Sequence, residues 1–159
     1  MSERKDMGLF VFLADDIPTK GRISYFCLFI CEITMQFLDN LFITQSITEA
    51  ENCFTAVLRC NPEHLIYQAH FPGNPITPGA CLLQTASEVL QRKLGRSLYL
   101  KASKNIKYLN VLIPAEDKEV RFAFSNLAET ETECKAQVVI ADEAQVYTKM
   151  SLTFSYEAL

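Results

Sequence analysis

Residues 70–95 read HFPGNPITPGACLLQTASEVLQRKLG, and this stretch decides the fold. Three prolines and two glycines in its first ten residues predict that residues 64–79 form a rigid loop. Thr77 and Pro78 predict a helix start, with Thr77 as N-cap and Pro78 in the first helical position. The helix is expected to reach about Leu94, with Gly95 as its stop. Its apolar face contains Cys81, Leu82, Leu83, Ala86, Val89, Leu90 and Leu94.

Alternating apolar and polar residues predict strands on both sides of that helix. Before it, residues 52–60 place Phe54, Ala56, Leu58 and Cys60 on one face. After it, strands are predicted in residues 98–102, 106–113, 120–124, 134–140 and 146–156, with a turn at 142–143. One strand, one long helix and then a run of antiparallel strands predict an α+β domain whose sheet wraps around the helix.

Length, composition and charge limit the kinds of protein and the kinds of partner to be considered. A chain of 159 residues, 49% hydrophobic and 21% charged, is typical of one globular domain. A net charge of −4 argues against nucleic acid as a partner. The cysteines lack the paired spacing of a metal site, so we expect reduced core thiols and no metal. They are Cys27, Cys31, Cys53, Cys60, Cys81 and Cys134.

Residues 1–38 differ from the rest of the chain. Their apolar run, ISYFCLFIC at residues 23–31, is shorter than the roughly 20 residues that a membrane-spanning helix needs. Glu32 follows it directly, and no signal-peptide cleavage pattern comes next. We expect residues 1–38 to be an N-terminal extension and residues 39–159 to be the domain, located in the cytoplasm without membrane contact. Membrane anchoring is the alternative.

The motif at residues 70–79, HFPGNPITPG, closely resembles the HFPGxPxxPG active-site signature of the 3-hydroxyacyl-acyl-carrier-protein dehydratases. The resemblance covers roughly residues 41–156. It implies the hot-dog fold, in which an antiparallel sheet wraps around one long central helix. It also implies dehydration of 3-hydroxyacyl thioesters to trans-2-enoyl thioesters in fatty-acid or related acyl-chain synthesis. No cofactor is expected.

The resemblance assigns roles to the residues of this motif. His70 is the expected base, since histidine has a near-neutral pKa without perturbation. The backbone N–H near Gly79, at the helix start, is expected to stabilise the enolate oxygen of the thioester. Phe71, Gly73 and Pro78 are expected to contact the substrate with Gly79.

The position of the general acid departs from the family pattern. Relatives carry a carboxylate where this chain has Gln84, which can hydrogen-bond a hydroxyl group but cannot donate a carboxyl proton. Glu88 lies one turn further along the same helix face. Two interpretations remain open. Glu88 acts as the acid, or it is only a solvated or helix-pairing carboxylate in a weak or inactive enzyme.

Basic residues cluster at the end of the helix and beyond it. Arg92, Lys93 and Arg96 are candidates for docking acyl carrier protein, because that partner is acidic. Lys101, Lys104 and Lys107 extend the cluster. The alternative is a solvated helix end, where basic residues are favourable in any case.

Two functions from different classes follow from these observations. The first is a dehydratase acting on substrates bound to acyl carrier protein. The second is a non-catalytic hot-dog subunit that binds acyl chains or partners an active homologue, and a hot-dog thioesterase is a weaker third possibility. We expect a homodimer, a heterodimer with another hot-dog subunit, or a higher oligomer. In such dimers, the histidine of one protomer meets the helix acid of the other.

Overall fold

The computed structural model describes residues 36–70 and 72–158. Two helices and six strands make up this part of the chain. The helices are α1 (Leu65–His70) and α2 (Gly79–Leu94). The strands are β1 (Phe42–Ala50), β2 (Cys53–Cys60), β3 (Tyr99–Tyr108), β4 (Glu119–Glu129), β5 (Glu133–Ala141) and β6 (Val146–Ser155).

The six strands form one antiparallel sheet in the order β1-β2-β4-β5-β6-β3. The buried residues of α2 belong to the same hydrophobic core as the inward-facing residues of the strands. Phe54 of β2 and Phe124 of β4 stack within this core, with ring centroids 4.4 Å apart. The predicted α+β architecture is therefore confirmed, and β1 and β3 form the two edges of the sheet.

Helix α2 ends where the sequence predicts but begins differently. Gly95 adopts the left-handed conformation (φ 64°) and donates its N–H to the carbonyl of Gln91 at 2.9 Å. At the other end the N-cap is Pro78, and no side chain caps the helix. Thr77 was the wrong choice of cap, because its hydroxyl instead lies 3.0 Å from the hydroxyl of Tyr67 on α1. That bond ties the two helices together across the intervening loop.

Two elements were not predicted. Strand β1 is an edge strand with most of its side chains exposed, so its sequence lacks the alternation of a half-buried strand. Helix α1 occupies part of the predicted loop. Its six residues are too few to show a helical period, yet Ile66 and Tyr67 anchor it in the core.

The strand boundaries after α2 also differ from the prediction. The first two predicted strands are one strand, β3, whose register with β6 is interrupted between Leu100 and Ala102 and between Lys104 and Lys107. These irregularities break the alternation, so the sequence pattern divides into two segments. Strands β4, β5 and β6 lie where alternation predicts them.

Most of the predicted N-terminal extension lies outside the described residues, so the boundary after residue 38 stays a prediction. Phe37 and Leu38, which fall within the described part, are buried in the core. The described cysteines have unpaired thiols; Cys60, Cys81 and Cys134 are buried, and Cys53 is half-buried. No helix among the described residues is long and apolar enough to cross a membrane.

Candidate active site

His70 is the last residue of α1 rather than part of a loop, and its side chain is exposed. Helix α1 is held at its start by His64, whose Nδ1 accepts the N–H of Ile66 at 3.1 Å. Partial desolvation lowers the pKa of His70 below its usual 6.5. The imidazole is therefore neutral at pH 7 and able to accept a proton.

The loop between the two helices is exposed at its tip and fixed at its end. Gly73 lies in the exposed part with a φ of 79°, a conformation that side-chain-bearing residues rarely adopt. Thr77 donates its N–H to the carbonyl of Leu112 at 2.9 Å, and Pro78 beside it is buried. The start of α2 is thus held in place by the segment that follows β3. Phe71 lies outside the described residues.

Gly79 begins α2 and lies against Tyr108 at the end of β3. A Cβ atom at position 79 would be 2.5 Å from Cε1 and Cζ of Tyr108 and 2.8 Å from its hydroxyl oxygen. Glycine therefore allows the tyrosine ring to lie against the Cα atom of residue 79. The first N–H groups of a helix have no acceptor within the helix, and this helix has no side-chain cap. Such groups are suited to an oxygen that develops negative charge.

Cys81, two residues into the helix, is not available as a nucleophile. Its side chain is buried, and desolvation raises the pKa of its thiol to about 12. A thiol in that state carries almost no thiolate at neutral pH. The Cys81 thiol is therefore not a candidate for chemistry at the helix start.

Gln84 and Glu88 are hydrogen-bonded to each other on one face of α2. Nε2 of Gln84 donates to Oε1 of Glu88 at 2.9 Å. The other carboxylate oxygen of Glu88 accepts the N–H groups of Phe37 at 2.9 Å and Leu38 at 2.7 Å. Glu88 thus anchors the turn before β1 to the helix while it holds the amide of Gln84.

Arg92 continues this polar face by one further turn. It forms an ion pair with Asp39 at 2.7 Å and donates to Oγ1 of Thr44 at 3.1 Å. The hydrogen bond from Arg92 is the largest of the influences that lower the pKa of Asp39 to about 2. Asp39 was not predicted from the sequence, because its partner on the helix is far away along the chain.

The other two predicted docking residues also have partners. Lys93 pairs with Glu49 and lies 5.9 Å from the centroid of the Phe54 ring. The guanidinium of Arg96 stacks 3.5 Å from the centroid of the Tyr156 ring. Distant segments thus contribute acidic and aromatic groups that the local sequence does not reveal, and the positive charge of the cluster is partly neutralised.

An open groove of about 590 Å³ runs along this polar face of α2. It brings together Gln84 and Glu88 with two of the docking candidates, Arg92 and Arg96. His70 is not among the described residues that line it. Among the described residues, this groove therefore contains the predicted acid position without the predicted base.

A model of the ApeI-like dehydratases, described as ApeI dehydratase, matches residues 46–151. That match covers the larger part of the chain. The chain belongs to the ApeI-like dehydratase family. The resemblance to dehydratases inferred from residues 70–79 is thereby confirmed at the level of the family.

One curated relative is the 3-hydroxyacyl-acyl-carrier-protein dehydratase FabZ of Latilactobacillus sakei subsp. sakei, 28% identical over 69 residues. The alignment covers 39% of this chain and 49% of the relative, so the chain spans about half the length of the curated relative that it matches.

Solved structures confirm the hot-dog fold of this ApeI-like chain. A chain of the dehydratase heterocomplex ApeI:P from Xenorhabdus doucetiae superimposes with a TM-score of 0.58 at 15% identity, covering 72% of this chain and 97% of that one. A hypothetical thioesterase from Streptococcus pneumoniae, solved with coenzyme A, gives a TM-score of 0.54 at 15% identity, covering 87% and 97%. At these identities the likeness establishes the fold alone.

Proposed function

We propose that this protein converts 3-hydroxyacyl thioesters to trans-2-enoyl thioesters, with His70 removing the proton from C2. The observation that supports this most strongly is the exposed imidazole of His70 at the end of α1, on the segment that leads to the start of α2, where no side chain caps the helix. A neutral histidine is a suitable general base at pH 7. Membership of the ApeI-like dehydratases makes this reaction class the natural one.

The remaining motif residues bind the thioester in this proposal. The N–H of Gly79 donates to the carbonyl oxygen as negative charge develops there, and the dipole of α2 adds to that stabilisation. Gly73 and Pro78 would contact the substrate, and a contact from Phe71 stays a prediction from the motif. Gln84 binds the hydroxyl group on C3. The site would be completed by a second hot-dog subunit, because His70 is not among the described residues that line the groove containing Gln84.

An acyl carrier protein would deliver the substrate in the cytoplasm. Arg92 and Arg96 are the candidates that best suit its docking, since they line the same groove as Gln84. Lys93 is a weaker candidate, because it is not among the described residues that line this groove. Rim charges of this kind accelerate association more than they strengthen binding.

The alternative of a non-catalytic subunit has one specific observation in its favour. The expected acid position is an amide, and both carboxylate oxygens of Glu88 already accept hydrogen bonds. If the protein has no turnover, binding of acyl chains or of an active homologue becomes the better account.

The test replaces His70 with alanine. Removing a general base costs about 10²–10⁴ in rate, so kcat should fall by at least two orders of magnitude without loss of the cooperative thermal transition. The assay follows formation of the enoyl thioester from a 3-hydroxyacyl N-acetylcysteamine thioester, and a thiol reagent reports hydrolysis in parallel.

His64→Asn is the matched control, because asparagine can still accept the N–H at the start of α1. It should retain parental turnover. Dehydration that survives in a folded His70→Ala variant would remove His70 from the mechanism, and release of free thiol without enoyl product would favour the thioesterase.

A further inference from the structure

The amide of Gln84 has a defined orientation. An ionised carboxylate can only accept hydrogen bonds, so the Gln84 atom 2.9 Å from Oε1 of Glu88 must be the nitrogen. The carbonyl oxygen of Gln84 therefore points away from Glu88. Since Gln84 lines the groove, that oxygen is the atom best placed to accept a hydrogen bond from a ligand there.

Glu88 is poorly placed to deliver a proton. Its two oxygens receive three N–H groups, from Gln84, Phe37 and Leu38, at 2.7–2.9 Å. Oε2 accepts both backbone N–H groups, so a proton on that oxygen would displace one of them, and a proton on Oε1 would lie beside the N–H of Gln84. Two of these donors are backbone groups of a turn packed against the core, so releasing them would leave amides without an acceptor.

We propose that Glu88 is a positioning residue, which fixes Gln84 with its carbonyl oxygen toward the C3 hydroxyl of the substrate, while His70 carries the proton through both halves of the elimination. This inference rests on the proposed dehydratase function. In this arrangement the C3 hydroxyl group donates a hydrogen bond to Gln84, and the departing hydroxide takes its proton from His70. The helix carboxylate of the relatives is then not needed.

The reaction balances with one histidine. The C2–H bond breaks, its proton moves to the neutral imidazole, and its electron pair forms the enolate. As the thioester carbonyl re-forms, the C2–C3 double bond forms and the C3–O bond breaks. The departing hydroxide takes the proton from the imidazolium and leaves as water, which returns His70 to its neutral form.

The acceptor at Gln84 suits this sequence of events. An amide oxygen that accepts the hydroxyl hydrogen leaves the lone pairs of the hydroxyl oxygen directed elsewhere, where they can take the proton from His70. An amide N–H pointing at the same oxygen would occupy one of those lone pairs. The direction in which Glu88 turns the amide therefore matters to the chemistry.

The experiment compares Glu88→Gln with the parent and uses a short 3-hydroxyacyl N-acetylcysteamine thioester, so that carrier docking is not involved. A glutamine at position 88 can donate as well as accept, so it no longer holds the amide of Gln84 in one orientation. We expect kcat/KM to fall about three- to tenfold, the range for one lost hydrogen bond. The parent and the variant should both show activity that rises with pH through the His70 titration and then stays level.

Gln84→Met gives a second variant that leaves the bonds from Glu88 to Phe37 and Leu38 in place. It should lose as much activity as Glu88→Gln, and the double variant should lose little more, because both changes remove the same interaction. Asp39→Asn is the matched control. It removes the ion pair between the turn before β1 and Arg92 of α2, and it leaves Gln84 unchanged. The kcat/KM of Asp39→Asn for this small thioester should therefore equal that of the parent.

Three results would overturn the proposal. A loss of two or more orders of magnitude in kcat for Glu88→Gln, with disappearance of a falling limb at high pH, would make Glu88 the acid. If the parent is active and the kinetics of Glu88→Gln or Gln84→Met are unchanged, the positioning role of Glu88 is refuted while the proposed dehydratase function stands. A parent that forms no enoyl product would refute the proposed function itself, and the positioning role with it.

Discussion

For single residues, Gln84 and Glu88 show that hydrogen bonds from outside a motif affect which roles its residues can have. The sequence shows two polar residues one turn apart on a helix, and either can be assigned a catalytic role from spacing alone. The structure adds the backbone N–H groups of Phe37 and Leu38, which hold Glu88 from outside the motif. Their identity carries no sequence signal, because every residue except proline has a backbone N–H.

Gln84→Glu should restore the acid of the related dehydratases. The new carboxyl group would lie where the Gln84 amide now approaches Glu88 at 2.9 Å, so the two carboxylates could not both be ionised. The pair would hold one proton, with one pKa raised towards neutrality, as a general acid requires. We expect kcat to rise about tenfold or more, since general-acid assistance is worth about 10²–10⁴.

The pH profile of kcat provides the measurement. The variant should acquire a falling limb at high pH, where the shared proton is lost, and this limb should be absent from the parent. A variant with parental kcat and an unchanged profile would mean that position 84 does not face the reacting hydroxyl group.

At the scale of elements, Asp142 joins the β5–β6 turn to the segment before β4. Its Oδ1 accepts the N–H groups of Ala144 and Gln145, each at 2.8 Å. Its Oδ2 accepts the hydroxyl of the buried Tyr147 at 2.6 Å and pairs with Lys118. Desolvation opposes ionisation of Asp142, but these donors together hold its pKa well below the usual 3.8.

Asp142→Ala should destabilise the fold by about 1–3 kcal/mol at pH 7, because it leaves the buried hydroxyl of Tyr147 without its acceptor. The ionic part of this stabilisation is complete above the unfolded-state pKa and declines as the pH falls toward the lower folded-state pKa. Urea unfolding should therefore show a smaller difference between parent and variant at pH 3 than at pH 7. Glu143→Ala, an exposed neighbour in the same turn, should stay within about 0.5 kcal/mol of the parent. Equal losses in the two variants would refute the role of Asp142.

How far each element could be predicted depends on how deeply it is buried. Helix α2 and strands β2, β4, β5 and β6 have one face in the core, so their periodicity is strong in the sequence. Strand β1 is mostly exposed, and α1 is only six residues long, so neither produces a clear period. The motif singles out His70 and Gly79 in the sequence, whereas the approach of Tyr108 to Gly79 and the ion pair of Asp39 with Arg92 are tertiary contacts that spacing cannot reveal.

At the scale of the whole molecule, strand β3 forms one edge of the sheet, and exposed apolar side chains lie on it and on the segment that follows it. Five large apolar side chains on this strand and the segment after it are between 43% and 58% exposed. They are Tyr99, Tyr108, Leu109, Val111 and Ile113. On the opposite edge strand, β1, Ile47 is the one large apolar side chain exposed to a comparable degree. An edge of this kind favours pairing with another chain, and we expect a second hot-dog subunit to pair with it.

Such a dimer leads to a complementation experiment. Differently tagged His70→Ala and Gln84→Met chains are co-expressed, and the mixed dimer is isolated by two successive affinity steps. If each site takes His70 from one protomer and Gln84 from the other, one site of the mixed dimer carries both changes and the other carries neither. By the symmetry of the pair, the mixed dimer should show roughly half of the parental kcat per dimer.

If both residues came from the same chain, every site would be defective, and the mixed dimer could not exceed half the activity of the Gln84→Met homodimer. The two homodimers, assayed beside it, set these limits. An activity at the lower limit would place the complete site within one protomer, and would require the loop after His70 and the groove along α2 to approach each other during turnover.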